Sequence, residues 1–272
     1  MQWFEAIILG LIQGLTEFLP VSSSGHLIIG KELLGIRLDE DLTFELVVHS
    51  ATVLSTIVVF RKQIWSLLKG LFKIRYNEQT DYLLKIGVSM IPIFVVGVFF
   101  KDYVESLFGS ILGVGIALVV TAVLLLFSDL VSKEKIHNEI AVRKKYYTNG
   151  ISYWQAFIIG ISQAFAVVPG LSRSGSTIAT GLLCGVKREV VAQFSFLMVM
   201  IPILGEAFLQ IVGGELVASS VGLLPLILGF ISAFFSGLLA CKAMMAIVRK
   251  AKLYWFALYC AIIALLIFIF AI

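Results

Sequence analysis

Apolar residues run through most of this chain, and the polar positions that interrupt them fall in a few places. Full-length apolar segments lie near 43–60, 86–100, 109–127, 190–212, 221–241 and 253–272. None alternates with a period of two, so each predicts a spanning helix and not a barrel strand. Two further apolar zones, near 3–35 and 154–186, are broken, the first at "LPVSSSG" and the second at "VPGLSRSGS". The pieces beside each break hold about 10–18 residues, too few at ~1.5 Å per residue to cross a ~30 Å hydrocarbon core. Each broken zone therefore predicts a helical hairpin that enters the membrane and returns.

The two broken zones are also copies of one another. Laid over 156–178 without a gap, residues 6–28 are identical at Ala6, Ile8, Gly10, Gln13, Ser22, Ser24, Gly25 and Ile28. This offset of 150 also brings Phe44 onto Phe194. Chance matches account for the apolar identities but not for Gln13/Gln163 in frame with Ser-x-Ser-Gly. Two repeats follow, roughly 1–135 and 151–272, in a single membrane domain.

Charge orients them. Basic residues cluster in 61–85, 128–150 and 242–252, while 101–108 and 213–220 hold almost none. By the positive-inside tendency the first three are cytoplasmic and the last two external. The first hairpin then begins and ends outside, and the second begins and ends inside. The expected fold is an all-α integral membrane protein built as an inverted-topology repeat. Six spanning helices would surround two re-entrant hairpins whose tips meet at mid-membrane, where such folds place their sites.

Composition agrees. The chain is 60% hydrophobic and 14% charged, against about 45–50% and 25% in soluble proteins. The net charge of +4 sits in the topology clusters, so nucleic acid is not an expected partner. Cys184, Cys241 and Cys260 lie in apolar runs and read as small core residues, not ligands or a disulfide. Met1–Glu5 has no basic run, so the first apolar segment is expected to stay in the mature chain.

The predicted tips carry the chemistry. In the first, Gln13 and Glu17 share a helix face, Ser22, Ser23 and Ser24 follow, and His26 enters the next helix. In the second, Pro169 and Gly170 break the helix before Ser172, Arg173, Ser174, Gly175, Ser176 and Thr177. Serines and glycine opening a helix present N–H groups at its positive end, an anion site. Arg173 adds a planar cation suited to phosphate oxygens. Glu17 fits beside it where a divalent metal bridges carboxylate and phosphate. His26 is a proton carrier, and Ser23 and its neighbours are candidate nucleophiles. The plainer reading makes the serines and glycines backbone caps or close-packing residues, and Gln13 and Gln163 hydrogen-bonding glue. Glu45 and His49 form either a second layer around the pocket or an interfacial helix pair. Glu206, four residues after Pro202, is a further candidate to line the cavity.

With these residues assembled, "QGLTEFLPVSSSGH" and "PGLSRSGST" resemble the two signatures of the undecaprenyl-diphosphatase, or bacitracin-resistance, family. "TFELVVHSAT" and "KREVVAQFSFLMVMIPI" are similar to it as well, so the resemblance covers essentially the whole chain. It implies a bacterial inner-membrane enzyme, its site open to the external side. The enzyme would hydrolyse a polyprenyl diphosphate lipid, undecaprenyl diphosphate, to undecaprenyl phosphate, recycling the carrier for peptidoglycan synthesis and conferring bacitracin resistance. It implies Mg2+ or Ca2+ as cofactor. By the same resemblance Glu17, Ser23, His26 and Arg173 are catalytic, and Ser22, Ser172, Arg173, Ser174 and Thr177 bind substrate phosphate. Glu17 and Gln13 bind metal, Gln13 standing where the family more often has an acid. A homodimer stays open at this stage. The main rival is a lipid-carrier flippase or transporter with a phosphate-headgroup site, since inverted repeats with broken helices are a transporter architecture.

Overall fold

The computed structural model describes residues 1–36, 42–73, 75–100, 110–143, 149–213, 221–250 and 252–270. Among these residues all regular structure is helical: α1 (Trp3–Phe18), α2 (Ser23–Leu33), α3 (Leu42–Val59), α4 (Arg61–Leu71), α5 (Glu78–Phe99), α6 (Ile111–Arg143), α7 (Tyr153–Phe165), α8 (Arg173–Leu183), α9 (Arg188–Gly213), α10 (Leu223–Lys250) and α11 (Tyr254–Phe270). Helices α5, α6, α9 and α10 each contain an apolar stretch long enough to cross a membrane. A fifth candidate is α3 with α4, bent by 79° between them. The shorter apolar α11 covers the last expected segment. Large side chains such as Phe94, Phe208, Leu239 and Phe270 are exposed on the outside, as a lipid-facing surface requires. The chain is a multi-pass, all-α membrane protein.

The two broken zones become α1–α2 and α7–α8, and local chemistry sets each boundary. Leu19 is extended (φ −77°, ψ 144°) before Pro20, because proline disfavours a helical residue in front of it. Ser22 restarts the chain, accepting the Gly25 N–H on its side chain at 3.2 Å. In the second zone Gly170 takes φ +86°, and Ser172 accepts the Gly175 N–H at 3.0 Å. The four helices hold 16, 11, 13 and 11 residues.

The two breaks touch. Ser174 Oγ donates to the Leu19 carbonyl at 3.0 Å, and the Gly170 N–H reaches Ser24 Oγ at 3.4 Å. A Cβ on Gly25 would sit 3.1 Å from the Gly170 Cα, a tight contact that glycine relieves where the two breaks meet.

Each broken zone packs on a long helix of the other half: α1 lies along α10, α7 along α5, and α6 pairs with α11. The contacts are backbone to backbone. A Cβ on Gly14 would lie 2.5 Å from the Ala233 carbonyl oxygen and 2.7 Å from the Gly237 nitrogen. One on Gly160 would lie 2.8 Å from the Ser89 Cα. Small residues serve this purpose between membrane helices, where close van der Waals contact replaces the hydrophobic drive. Ser232 Oγ adds a hydrogen bond to the Ile7 carbonyl at 2.8 Å. Helix α9 runs through the middle and buries Phe194 and Met198 completely.

Three expectations need correction. The stretch 61–85, read as a basic loop, contains α4 and the first two turns of α5. Its charges are partly internal: buried Lys85 pairs with Asp81, which also accepts from Tyr76 (2.5 Å), Tyr153 (2.9 Å) and Asn149 (2.9 Å). The basic stretches 128–150 and 242–252 largely continue α6 and α10 beyond the apolar spans, since Lys and Arg propagate a helix well. Glu206 lies on an exposed face of α9 and does not line the central cleft. The expected outer connections 101–108 and 213–220 fall almost wholly outside the described residues.

Candidate active site

Glu17 is the hub where the two breaks meet. Its side chain is 7% exposed, on the last turn of α1. One carboxylate oxygen accepts from Ser23 Oγ at 2.6 Å and from Gln13 Nε2 at 2.8 Å. The other faces Arg173 Nη2 from the second break at 3.4 Å. His49 Nδ1, on α3, lies 3.4 Å from the first oxygen and 2.9 Å from Gln13 Nε2. The carboxylate dictates the Gln13 orientation, since only the amide nitrogen can face it favourably. That donor then meets a lone pair on His49 Nδ1, which places the His49 hydrogen on Nε2. It also leaves Gln13 Oε1 buried with no partner among the described residues.

This arrangement bears on a metal. Among the described residues no three His, Cys, Asp or Glu side chains converge, so no closed protein cage exists. The Glu17 carboxylate, the orphaned Gln13 Oε1 and Ser23 Oγ are nevertheless hard oxygen donors within one cluster. A hard cation bound by one or two protein oxygens, completing its shell with water and phosphate oxygens, fits that set.

Behind Glu17 and Arg173 lies a narrow cleft, with a cavity volume of about 20 Å³. Its polar wall includes Thr52, Thr56, Gln163, Ser174, Thr177 and Ser195, and its apolar wall includes Phe18, Phe196 and Ile203. Gln163 Nε2 and Ser195 Oγ are buried there without a partner among the described residues. A donor left so costs about 1–3 kcal/mol, so the cleft is built for something polar, water included.

The remaining expected residues divide. Ser22 and Ser172 are N-caps. Ser22 holds φ +70°, a conformation costing about 1–3 kcal/mol for a non-glycine residue, and it turns its carbonyl toward His26. Ser174 donates to Leu19, and Thr177 Oγ1 donates to the Arg173 carbonyl at 2.8 Å. Both line the cleft, and each hydroxyl must rotate to donate to a phosphate. The Ser172 N–H is held by Thr121 Oγ1 at 3.1 Å, a contact with no mark in the sequence.

His26 stands apart from this cluster. Its Nδ1 bonds the Ser22 carbonyl at 2.7 Å and its Nε2 meets the Tyr259 hydroxyl at 2.8 Å. Among the described residues no hydrogen bond joins it to Glu17, Ser23 or Arg173. His49 takes the place beside Glu17 instead. Its i,i+4 spacing from Glu45 was the available signal, yet Glu45 turns to Lys31 at 2.6 Å.

Comparison with known proteins finds relatives over nearly the whole chain. The family model described as bacitracin resistance protein BacA matches residues 6–266. A protein named undecaprenyl-diphosphatase from Bacteroides fragilis is 56% identical over 267 residues, covering 97% of this chain and 96% of its own. One of the same name from Bacteroides thetaiotaomicron is 55% identical over 99% of both chains. Another from Methanococcus vannielii is 39% identical, covering 97% of this chain and 98% of its own.

Proposed function

The chain belongs to the bacitracin resistance protein BacA family, and from that membership and the site's chemistry we propose that it is an undecaprenyl-diphosphatase. It hydrolyses undecaprenyl diphosphate to undecaprenyl phosphate and inorganic phosphate. It thereby recycles the lipid carrier for peptidoglycan synthesis and confers bacitracin resistance. The observation that carries this reading is the linked set Gln13–Glu17–Ser23–Arg173, where a carboxylate, a hydroxyl and a guanidinium from two helix breaks converge.

In the proposed mechanism Arg173 and the opening turn of α8 hold the diphosphate, and Ser174 and Thr177 donate to its oxygens. Glu17 and Gln13 Oε1 would hold Mg2+ or Ca2+, which would supply neutralising charge to the bound phosphates. Ser23 donates its hydroxyl hydrogen to Glu17; as nucleophile its oxygen would bond the terminal phosphorus as the anhydride P–O bond breaks and undecaprenyl phosphate leaves, and water would then hydrolyse the phosphoserine to inorganic phosphate. The rival nucleophile is a water that gives its proton to His26. Fixed charges and donors carry most of the rate, as in other phosphoryl transfers. A purified Ser23→Ala protein with near-normal turnover assigns the attack to water.

The placement in the membrane is part of the proposal. Two inverted repeats, about 1–135 and 151–272, form six spans and two re-entrant hairpins in one membrane domain of the bacterial inner membrane. The reciprocal packing of α1 on α10 and α7 on α5 supports this, because equivalent glycines, Gly10 and Gly160, make the equivalent contacts. The basic clusters then lie in the cytoplasm and the site opens outward. The prenyl tail stays in lipid between helices.

The test is phosphate release from C55 diphosphate by purified protein, with and without chelator. Wild type is compared with Glu17→Ala, His26→Ala and Arg173→Ala. Metal-dependent release lost in the variants is the expected result. Activity retained in all three refutes the site. No release by wild type refutes the hydrolase and favours a carrier flippase.

A further inference from the structure

Both nitrogens of His26 are committed, and the partners fix their roles. A backbone carbonyl can only accept, so Nδ1, 2.7 Å from the Ser22 oxygen, carries the hydrogen. In the neutral ring Nε2 is then the lone-pair nitrogen, and the group 2.8 Å from it is the Tyr259 hydroxyl, which donates. The rings also stack, centroids 5.6 Å apart and planes 10° from parallel. Tyr259 lies in the apolar run of α11, 233 residues away, and the next residue, Cys260, contacts the Pro20 carbonyl at 3.7 Å. The last helix therefore grips the first break at two points. Ser22 in turn is held at φ +70°, so the carbonyl that orders Nδ1 is maintained against backbone strain.

We propose that Tyr259 is the positioning residue of His26: it holds the ring by stacking and occupies Nε2, the sole basic nitrogen that Ser22 leaves. The contact survives a change of protonation. A proton from water would reach Nε2 through the phenol: Tyr259 gives its hydroxyl hydrogen to Nε2 and takes the water's in its place, after which Nε2–H donates to the phenol oxygen. Tyr259 can thus keep the imidazole in one orientation through both halves of a proton-transfer cycle. This rests on the phosphatase reading for its kinetic consequence only.

Tyr259→Phe keeps the ring and removes the hydroxyl. Histidine nitrogen NMR on labelled, detergent-solubilised protein reads the contact without activity, with the signal assigned through His26→Ala. The expected wild-type signal is an Nδ1–H tautomer whose Nε2 accepts a hydrogen bond. In Tyr259→Phe the Nε2 signal moves to the position of a free acceptor. General acid–base catalysis by a placed side chain is worth ~10²–10⁴-fold, so loosening it is expected to lower kcat about tenfold with KM within about twofold. In a His26→Ala background the same substitution should cost less than about twofold, because coupled residues are not additive. Equal loss in both backgrounds, or an unmoved Nε2 signal, overturns the proposal. Wild-type protein that releases no phosphate refutes the phosphatase reading instead, and the NMR arm then decides the contact by itself.

Discussion

The packing of α1 on α10 makes a sharp prediction at Gly14, one residue after Gln13 and three before Glu17. An alanine methyl there would lie 2.5 Å from the Ala233 carbonyl oxygen and 2.7 Å from the Gly237 nitrogen. The third neighbour, Ser236 Oγ, can rotate aside, but the two backbone atoms cannot. Ordinary contact begins near 3.4 Å, so the helices must part by roughly 0.9 Å to restore van der Waals spacing. Overpacking of this kind costs about 1–3 kcal/mol. The better helix propensity of alanine returns about 1 kcal/mol. The net loss of stability is therefore about 0–2 kcal/mol, a modest fall in unfolding temperature. Activity should suffer far more, because the moving helix carries Gln13 and Glu17. A ~1 Å misplacement of reacting groups can cost ~10²-fold in rate, equivalent to about 2.7 kcal/mol of barrier. Gly14→Ala is thus expected to fold while losing about 10²-fold in kcat/KM. The assay is phosphate release beside thermal unfolding in the same detergent. Gly87→Ala is the control: its methyl meets nothing within 4 Å, so it should keep full activity. A Gly14→Ala protein as active as Gly87→Ala would refute the claim that this contact sets the position of the site.

Gln13→Glu restores a second carboxylate beside Glu17. It is expected to lower the Mg2+ concentration for half-maximal activity several-fold and to make thermal stability more metal-dependent than in wild type; an unchanged metal requirement would remove Gln13 from the metal's surroundings. Asp81→Ala strands Lys85, whose side chain is 3% exposed. Removing one partner of a buried pair costs about 3–5 kcal/mol, which chemical or thermal unfolding will read, and Asp81→Ala/Lys85→Met should recover much of it. A loss below about 1 kcal/mol in the single variant would mean that water already solvates the pair.

What the sequence disclosed, and what it withheld, follows from which forces act locally. The breaks at Leu19–Ser22 and Val168–Ser172 were legible because proline, glycine and capping serines act within a few residues of themselves. Gly10 and Gly160, and Gln13 and Gln163, recur at a fixed offset, and that recurrence is what the sequence supplies toward the proposed repeat. The membrane class followed from composition alone. Side-chain direction did not. His26 and His49 both lie near Glu17 in any sketch built from segment order, and helix period alone cannot say which one reaches it. Tertiary packing decides: α3 lies against α1 and α10, which delivers His49, while α11 draws His26 toward Tyr259. The same holds for α4 and the Asp81–Lys85 pair, where charges that read as a solvated loop are drawn inside because Tyr76, Tyr153 and Asn149 satisfy them. The sequence offered His26 next to Glu17 and His49 in a second layer; in the structure His49 is the histidine against the carboxylate, while His26 bonds Tyr259. The consequence is mechanistic. With His49 beside the carboxylate and His26 held by the last helix, the proposed function would give proton handling and phosphate binding to separate groups, joined through the Ser22–Ser23 backbone.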